Sequence, residues 1–329
     1  HSKTQDRSDF ITSLSNANIR TKAACNKWTK FIGEIMVDDH AQIDYLQRLC
    51  GYMMFGDRRE QIIVYLQGAG ANGKSLFIDV LSHVFGDYAA SISAKALIDR
   101  ASGAIPSDIA AITGKRLVTM SELPERTHIN TTTVKSITGG DKVSARHLYK
   151  AWFEFKPQFQ LLCAMNELPK VPENDDAYMR RVQIITFPRA FQRSEMDRDL
   201  SSKLKSESDG ILQWCLEGAL RYQKQGLEPT QKMLRELEEY RRKSDLVADF
   251  VRECVIIGGG KGFHPLGDLV QYVRKYMFQE DTLPPDETSI QKSLKRLLGD
   301  TQQHRTENGR VRGYFGLMVN IPSDDDVPF

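Results

Sequence analysis

The octet Gly68-Ala69-Gly70-Ala71-Asn72-Gly73-Lys74-Ser75 follows the apolar run Ile62-Ile63-Val64-Tyr65-Leu66 and leads into Leu76-Phe77-Ile78-Asp79-Val80-Leu81. The first run has the length and β-branched content of a buried strand, and the second has helical character, so the glycine-rich octet lies on a strand-to-helix turn. In that setting backbone N–H groups wrap phosphate oxygens at the helix N-terminus, Lys74 reaches the β and γ oxygens, and the Ser75 hydroxyl can ligate Mg²⁺. The expected contact with a nucleoside triphosphate, taken as ATP with Mg²⁺, runs from Gly68 to Leu76.

Outward from the loop, short apolar runs alternate with amphipathic segments between residues 60 and 190, which predicts an α/β fold with a sheet and crossover helices. A hydrolytic site needs a group to orient water, and Lys115-Arg116-Leu117-Val118-Thr119-Met120-Ser121-Glu122 reads as a strand ending in a carboxylate. Glu122 is the candidate base and metal partner, with Ser121 reaching Mg²⁺ through water. The alternative for Glu122 is an exposed acid beyond a strand end. A third strand, Phe159 to Met165, ends at Asn166, which can sense the γ-phosphate or shape a turn before Pro169. Arg180 and Arg181 precede the strand-like run Val182-Gln183-Ile184-Ile185; either can neutralise transition-state charge as an arginine finger, or both can face solvent.

Length and composition bound this reading. A chain of 329 residues exceeds the comfortable size of one core and predicts two or three domains. Its 45 basic and 43 acidic side chains leave a formal charge of +2, so a nucleic-acid surface has to be a local patch. Five scattered cysteines without a Cys-x-x-Cys pair fit reduced thiols and a cytoplasmic setting, here that of a bacterial host cell. No apolar run is long enough to span a bilayer, and no membrane partner is expected. The start at His1, without an initiator Met, is expected to mark a piece of a longer protein.

Ahead of the loop, Trp28, Phe31, Ile32 and Ile35, then Tyr45, Leu46, Leu49, Cys50 and Met53, recur at helical spacing. From about 195 to 243 the pattern is helical and highly charged, a solvated helix face. Beyond it a helix opens at Leu246 and is broken by Gly258-Gly259-Gly260, helices near 265–279 and 288–298 follow, and the Asn308-Gly309 turn marks a hairpin. Three helices and a hairpin is the order of a winged-helix domain. Lys292, Lys295, Arg296, Arg305, Arg310 and Arg312 there can contact duplex DNA, with acidic neighbours opposing.

The order of these elements, with Gly114-Lys115-Arg116-Leu117-Val118 and Lys135-Ser136-Ile137-Thr138-Gly139-Gly140-Asp141 between them, resembles superfamily 3 helicases. Within them it is most similar to the helicase portion of phage, plasmid, satellite-phage and poxvirus-type primase–helicases, over nearly the whole chain. The resemblance implies a AAA+-like P-loop core assembled as a homo-oligomeric ring, a hexamer as a rule, with ATP held between subunits. It implies that Arg181, with Arg180 second, acts on the neighbour's nucleotide, and that single-stranded or forked DNA is unwound with 3′ to 5′ polarity. It makes Val143 to Lys156 a channel hairpin with Lys150 near its tip, Tyr149 and Trp152 beside it, and Arg146 at the DNA or nucleotide interface. Bottom-up, a cation flanked by aromatics suits strand tracking, and the alternative is that Tyr149, Trp152 and Phe153 are core.

The expected domains are 1–56 helical, 57–195 core, 196–243 helical, 244–322 winged helix and 323–329 tail. That tail resembles the tip of bacterial single-stranded-DNA-binding proteins, which implies a host protein partner for Asp324 to Phe329; the alternative is a solvated acidic end. Two other classes stay open: a P-loop ATPase that remodels protein or packages DNA, and a non-motor DNA-binding initiator switched by nucleotide.

Overall fold

The computed structural model of the protein describes residues 11–20, 22–98, 107–120, 129–146, 150–169, 171, 175–279, 284, 286–306 and 309–320. Ser121, Glu122, Tyr149, Asn308 and the tail at 323–329 lie outside the described residues. The chain divides into two compact units, one of His1–Pro169 with Asp176–Leu237, the other of Lys170–Asp175 with Glu238–Phe329.

The first unit opens with helices α1 (Asn26–Met36) and α2 (His40–Phe55). Trp28, Phe31, Ile32, Ile35 and Met36 form the buried stripe of α1, and Tyr45, Leu46, Leu49, Cys50 and Met53 that of α2, at the spacing the sequence shows. Asp39 caps α2 by accepting from the Gln42 N–H. There follow β1 (Ile63–Gln67), α3 (Lys74–Phe85), β2 (Ala89–Ile92), the single turn α4 (Ser107–Ala110), β3 (Leu117–Met120) and α5 (Thr131–Thr138). Next come β4 (Val143–Arg146), β5 (Trp152–Phe155), β6 (Gln160–Met165), the turn α6 (Asp176–Met179), β7 (Val182–Thr186), α7 (Leu200–Lys205) and α8 (Ser208–Gln225). Helix α9 (Gln231–Lys243) passes into the second unit.

Five of these strands form one parallel sheet in the order β2-β3-β6-β1-β7. Ile63, Val64, Tyr65 and Leu66 are shielded from solvent, as are Leu161, Leu162 and Cys163 in the neighbouring strand, which is the continuous apolar pattern of strands covered on both faces. The order places β6 between β1 and β3, so the loop after β1 adjoins the end of β6. Strands β4 and β5 stand outside this sheet as a separate antiparallel pair.

Helices α2 and α8 meet backbone to backbone because each has a glycine at the contact. A Cβ on Gly51 would lie 2.0 Å from the Ala219 nitrogen, and one on Gly218 would lie 1.9 Å from the Gln47 oxygen. The helical segments on either side of the core in sequence therefore share one packed layer in the first unit. Arg48 fixes the same layer by donating to Leu227 O at 2.8 Å and Glu228 O at 3.3 Å, carbonyls just beyond the α8 C-terminus.

The second unit continues from the end of α9 with α10 (Leu246–Cys254), β8 (Val255–Ile257), β9 (Phe263–Pro265), α11 (Leu266–Gln279), α12 (Glu287–Leu298), β10 (Gln302–Thr306), β11 (Gly309–Phe315) and β12 (Leu317–Val319). The helix that the glycine triplet was expected to end stops earlier, at Cys254. Val255, Ile256 and Ile257 form a strand paired with β12, where β-branched side chains fit better than in a helix. Strand β9, also absent from the sequence reading, pairs with β11 to give the sheet order β10-β11-β9. Among the described residues no helix is long and apolar enough to cross a membrane, and all five cysteines are free.

Replacing Gly218 by Ala forces a methyl into the Gln47 carbonyl, so Gly218→Ala is expected to destabilise the first unit by about 1–3 kcal/mol. All three tryptophans lie in that unit, so urea unfolding followed by tryptophan fluorescence reads the change; an unshifted midpoint would contradict the close contact.

Candidate nucleotide site

The loop between β1 and α3 has the backbone its glycines permit. Gly70 and Gly73 have φ of 99° and 85°, in the left-handed region where a side chain is strained. A Cβ on Gly73 would also lie 2.8 Å from Ile35 Cγ2 and 3.2 Å from Phe31 Cε2, so α1 packs directly under the loop. On the other side Gly70 faces open space.

Neighbouring strands hold the loop. The Gly68 N–H donates to Met165 O at 3.2 Å, and the Phe191 N–H, beyond β7, donates to Ala71 O at 2.9 Å. Asn72 is buried and works inside the loop: its Oδ1 accepts from the Gly70 N–H at 2.8 Å and from Lys74 Nζ at 2.8 Å. The sequence marked Asn72 only for its backbone; its side-chain role depends on the loop's folded path.

Lys74 opens α3 and is 7% exposed. Its Nζ donates to Gly68 O at 2.5 Å, to Asn72 Oδ1 and to Asn166 Oδ1 at 3.2 Å. Asn166 follows β6, whose Met165 is in register with Gln67 at the end of β1, so the parallel pairing carries the two side chains together. Gly70 to Leu76 line a cavity of about 490 Å³ with Ala164, Met165 and Asn166, within the range of small-ligand sites. An ammonium ion, exposed Ser75 and the N-terminus of α3 converge there, a donor set that suits a polyphosphate. The residues present thus fit ATP, with the Ser75 hydroxyl as a ligand for Mg²⁺. Strand β3 brings the chain to Ser121 and Glu122, which lie outside the described residues.

Arg180 and Arg181 are not brought to this cavity. Arg181 O accepts from the Ile63 N–H at 2.9 Å, at the start of β1, and β1 places that point about 17 Å from the loop at 3.3 Å per residue. Their environments differ: Arg180 is exposed, whereas Arg181 is 8% exposed and donates to Ala177 O and to Gln61 Oε1 at 3.4 Å.

The β4–β5 pair forms a hairpin in which Arg146 is in register with Trp152. Lys150 is exposed in the connection between the two strands. Trp152 is 59% exposed, and the Arg146 guanidinium stands 5.1 Å from its ring centroid, a cation–π pair on the outer face. The core reading therefore fails for Trp152 and holds for Phe155, which is buried. Both feet of the hairpin are gripped by Arg58, which donates to Thr138 O at 2.9 Å ahead of β4 and to Phe159 O after β5. Burial pushes the Arg58 guanidinium down to about 10, still a cation at neutral pH.

Comparisons with known proteins agree with this layout. Residues 66–181 match a family model described as a family of unknown function, DUF5906. The chain is 30% identical over 258 residues to "Putative helicase L207/L206" of Acanthamoeba polyphaga mimivirus, covering 72% of this chain and 27% of that protein. It is 24% identical over 290 residues to "Putative helicase V13" of the Sputnik virophage, covering 81% and 37%. It thus spans about a quarter to a third of the length of these relatives. Its fold is similar to the apo structure of the NrS-1 C terminal region, with a TM-score of 0.58, 11% identity, and coverage of 93% of this chain and 79% of that one.

Asn72→Ala removes acceptors from a backbone N–H and from Lys74. It is expected to weaken binding of a fluorescent ATP analogue roughly tenfold, the equivalent of one charge-assisted hydrogen bond. Titration of wild type and variant checks this, and equal affinities would remove Asn72 from the site.

Proposed function

We propose that the chain is the motor portion of a DNA helicase of superfamily 3, using ATP and Mg²⁺ to move single-stranded DNA through a homo-oligomeric ring during replication of a viral or other mobile element. The observation that carries the reading is the meeting of Lys74 Nζ with Asn166 Oδ1 at the ends of adjacent parallel strands. That contact joins a phosphate-binding lysine to a polar sensor, and the strand order β2-β3-β6-β1-β7 is the order a AAA+-like core requires. The names of the viral relatives support helicase activity.

In this mechanism Lys74 and the loop N–H groups hold the β- and γ-phosphates, and Ser75 orients Mg²⁺, which supplies charge neutralisation. Glu122 activates water, and Asn166 senses the γ-phosphate through the same oxygen that meets Lys74. The finger has to come from a neighbouring subunit, since both arginines sit at the far end of the sheet from their own loop. Burial reverses the order the resemblance implied: Arg180 is exposed and takes the role, while Arg181 is committed to Ala177 and Gln61 within its own subunit. Lys150 meets DNA phosphates, and the Arg146–Trp152 pair offers a face for bases. The second unit is read as a winged helix, and the acidic tail as a docking segment for a host protein.

Two measurements separate this reading from packaging or remodelling ATPases and from a nucleotide-switched initiator. Lys150→Ala is expected to keep ATP hydrolysis while losing unwinding of forked DNA; unwinding at the wild-type rate would remove the hairpin from the mechanism. Arg180→Ala is expected to lower the turnover number by roughly a thousandfold, the low end for an arginine finger. Mixing it with Lys74→Ala subunits should restore part of the activity by rebuilding intact interfaces. No recovery on mixing, or an Arg181→Ala variant that folds normally yet shows the same loss, would reject Arg180.

A further inference from the structure

The sheet β10-β11-β9 of the second unit has one face in the core and one outside. Tyr314, 5% exposed, points into the core that includes Ile290, Leu294 and Leu317. Alternation along the strands therefore turns Phe315, its register partner Phe263, and His304 on β10 to the opposite face. There the three rings form a closed cluster, with centroids 4.8 Å apart for Phe263 and His304, 4.9 Å for Phe263 and Phe315, and 5.2 Å for His304 and Phe315.

The cluster is built around a missing side chain. Strand β11 lies between β9 and β10, so Phe263 reaches His304 only by crossing it. It does so over Gly313, where a Cβ would stand 2.6 Å from Phe263 Cζ. His304 and Phe315 are exposed, Phe315 by 43%. Three rings set side by side on an outer sheet face, where burial gives no reason for them, need a planar partner.

Charge says which. Among the described residues β9, β10 and β11 hold no carboxylate, while Arg305, Arg310 and Arg312 are exposed and have no ion-pair partner there. The helix that a duplex-binding winged helix would lay in the major groove is the opposite case. Arg296 of α12 is paired with Asp245, and Lys295 with Asp300 at 2.8 Å. The cations of the helix are neutralised within the unit and those of the sheet are not.

We propose that this sheet is a binding surface for single-stranded nucleic acid, with Phe263, His304 and Phe315 stacking unpaired bases and Arg305, Arg310 and Arg312 meeting the phosphates along the hairpin. The surface stands on the second unit alone and does not require the motor reading. Its test is made without nucleotide, in full-length chain bearing Lys150→Ala, so that the β4–β5 hairpin does not contribute.

The probe is an oligothymidylate carrying 5-iodouracil, with affinity read by fluorescence anisotropy and the photocrosslink mapped by mass spectrometry. The expected crosslink falls in the segments containing Phe263, His304 and Phe315. Phe315→Ala should weaken binding about tenfold. The combined variant Arg305→Gln, Arg310→Gln, Arg312→Gln, which leaves the rings intact, should lower the slope of log affinity against log salt by about 2. Three results would overturn the proposal: unchanged affinity in both variants, equal loss for a blunt duplex of the same sequence, or unchanged oligonucleotide affinity with loss of the oligomer's mass in solution. The last would make the face a contact between protein subunits.

Discussion

Trp28 holds the first unit together. Its ring stacks on Phe77 at 5.7 Å and 15°, meets Trp214 edge-on at 5.7 Å, and lies beside Phe31 of its own helix at 5.8 Å. Phe77 in turn meets Phe187, the residue after β7, at 6.0 Å. One aromatic box therefore ties α1, the helix that carries Lys74, the exit of a core strand and α8. Each such pair adds about 0.5–1.5 kcal/mol beyond the area it buries. The same face of α1 brings Phe31 and Ile35 against Gly73, so the floor of the phosphate loop is the helical segment that precedes it in sequence.

This arrangement explains why a glycine is needed at Gly73 twice over. Its φ of 85° favours glycine by backbone conformation alone, and the approach of Ile35 excludes a side chain even if the conformation were relaxed. The loop is thus shaped from below by packing and from above by Asn72. Lys74 reaches its position as a consequence of both, and its ammonium is held by oxygens that a phosphate could replace without moving the helix.

The loop, the strand before it and the helix after it were legible because their signals are local: a β-branched run, glycines at fixed offsets, and helical spacing from Leu76 onward. The helical stripes of α1 and α2 were legible for the same reason. Their destination was not, because nothing near Gly51 or Gly218 states that the two glycines face each other across the chain. The exposure of Trp152 was likewise hidden, since an aromatic in an alternating strand reads alike whether its face is covered or bare. Strand β9 was missed because three residues containing a proline make no periodic signal, and it exists only through pairing with β11.

The paired arginines show how far local reading can mislead. Arg180 and Arg181 are chemically identical, yet they leave the end of α6 in different directions. The turn is anchored through Tyr178, whose hydroxyl meets that of Tyr65 in β1 at 2.6 Å, and through Arg181, which bonds Ala177 and Gln61 while its own backbone continues into β7. With the turn fixed on the core side by these groups, Arg180 has solvent as its remaining direction. A lysine at 181 would keep the charge but lose the planar fork that spans two acceptors at once, and the turn would no longer be held. Arg181 determines where Arg180 points, and the two positions are separate structural instructions written in the same residue type.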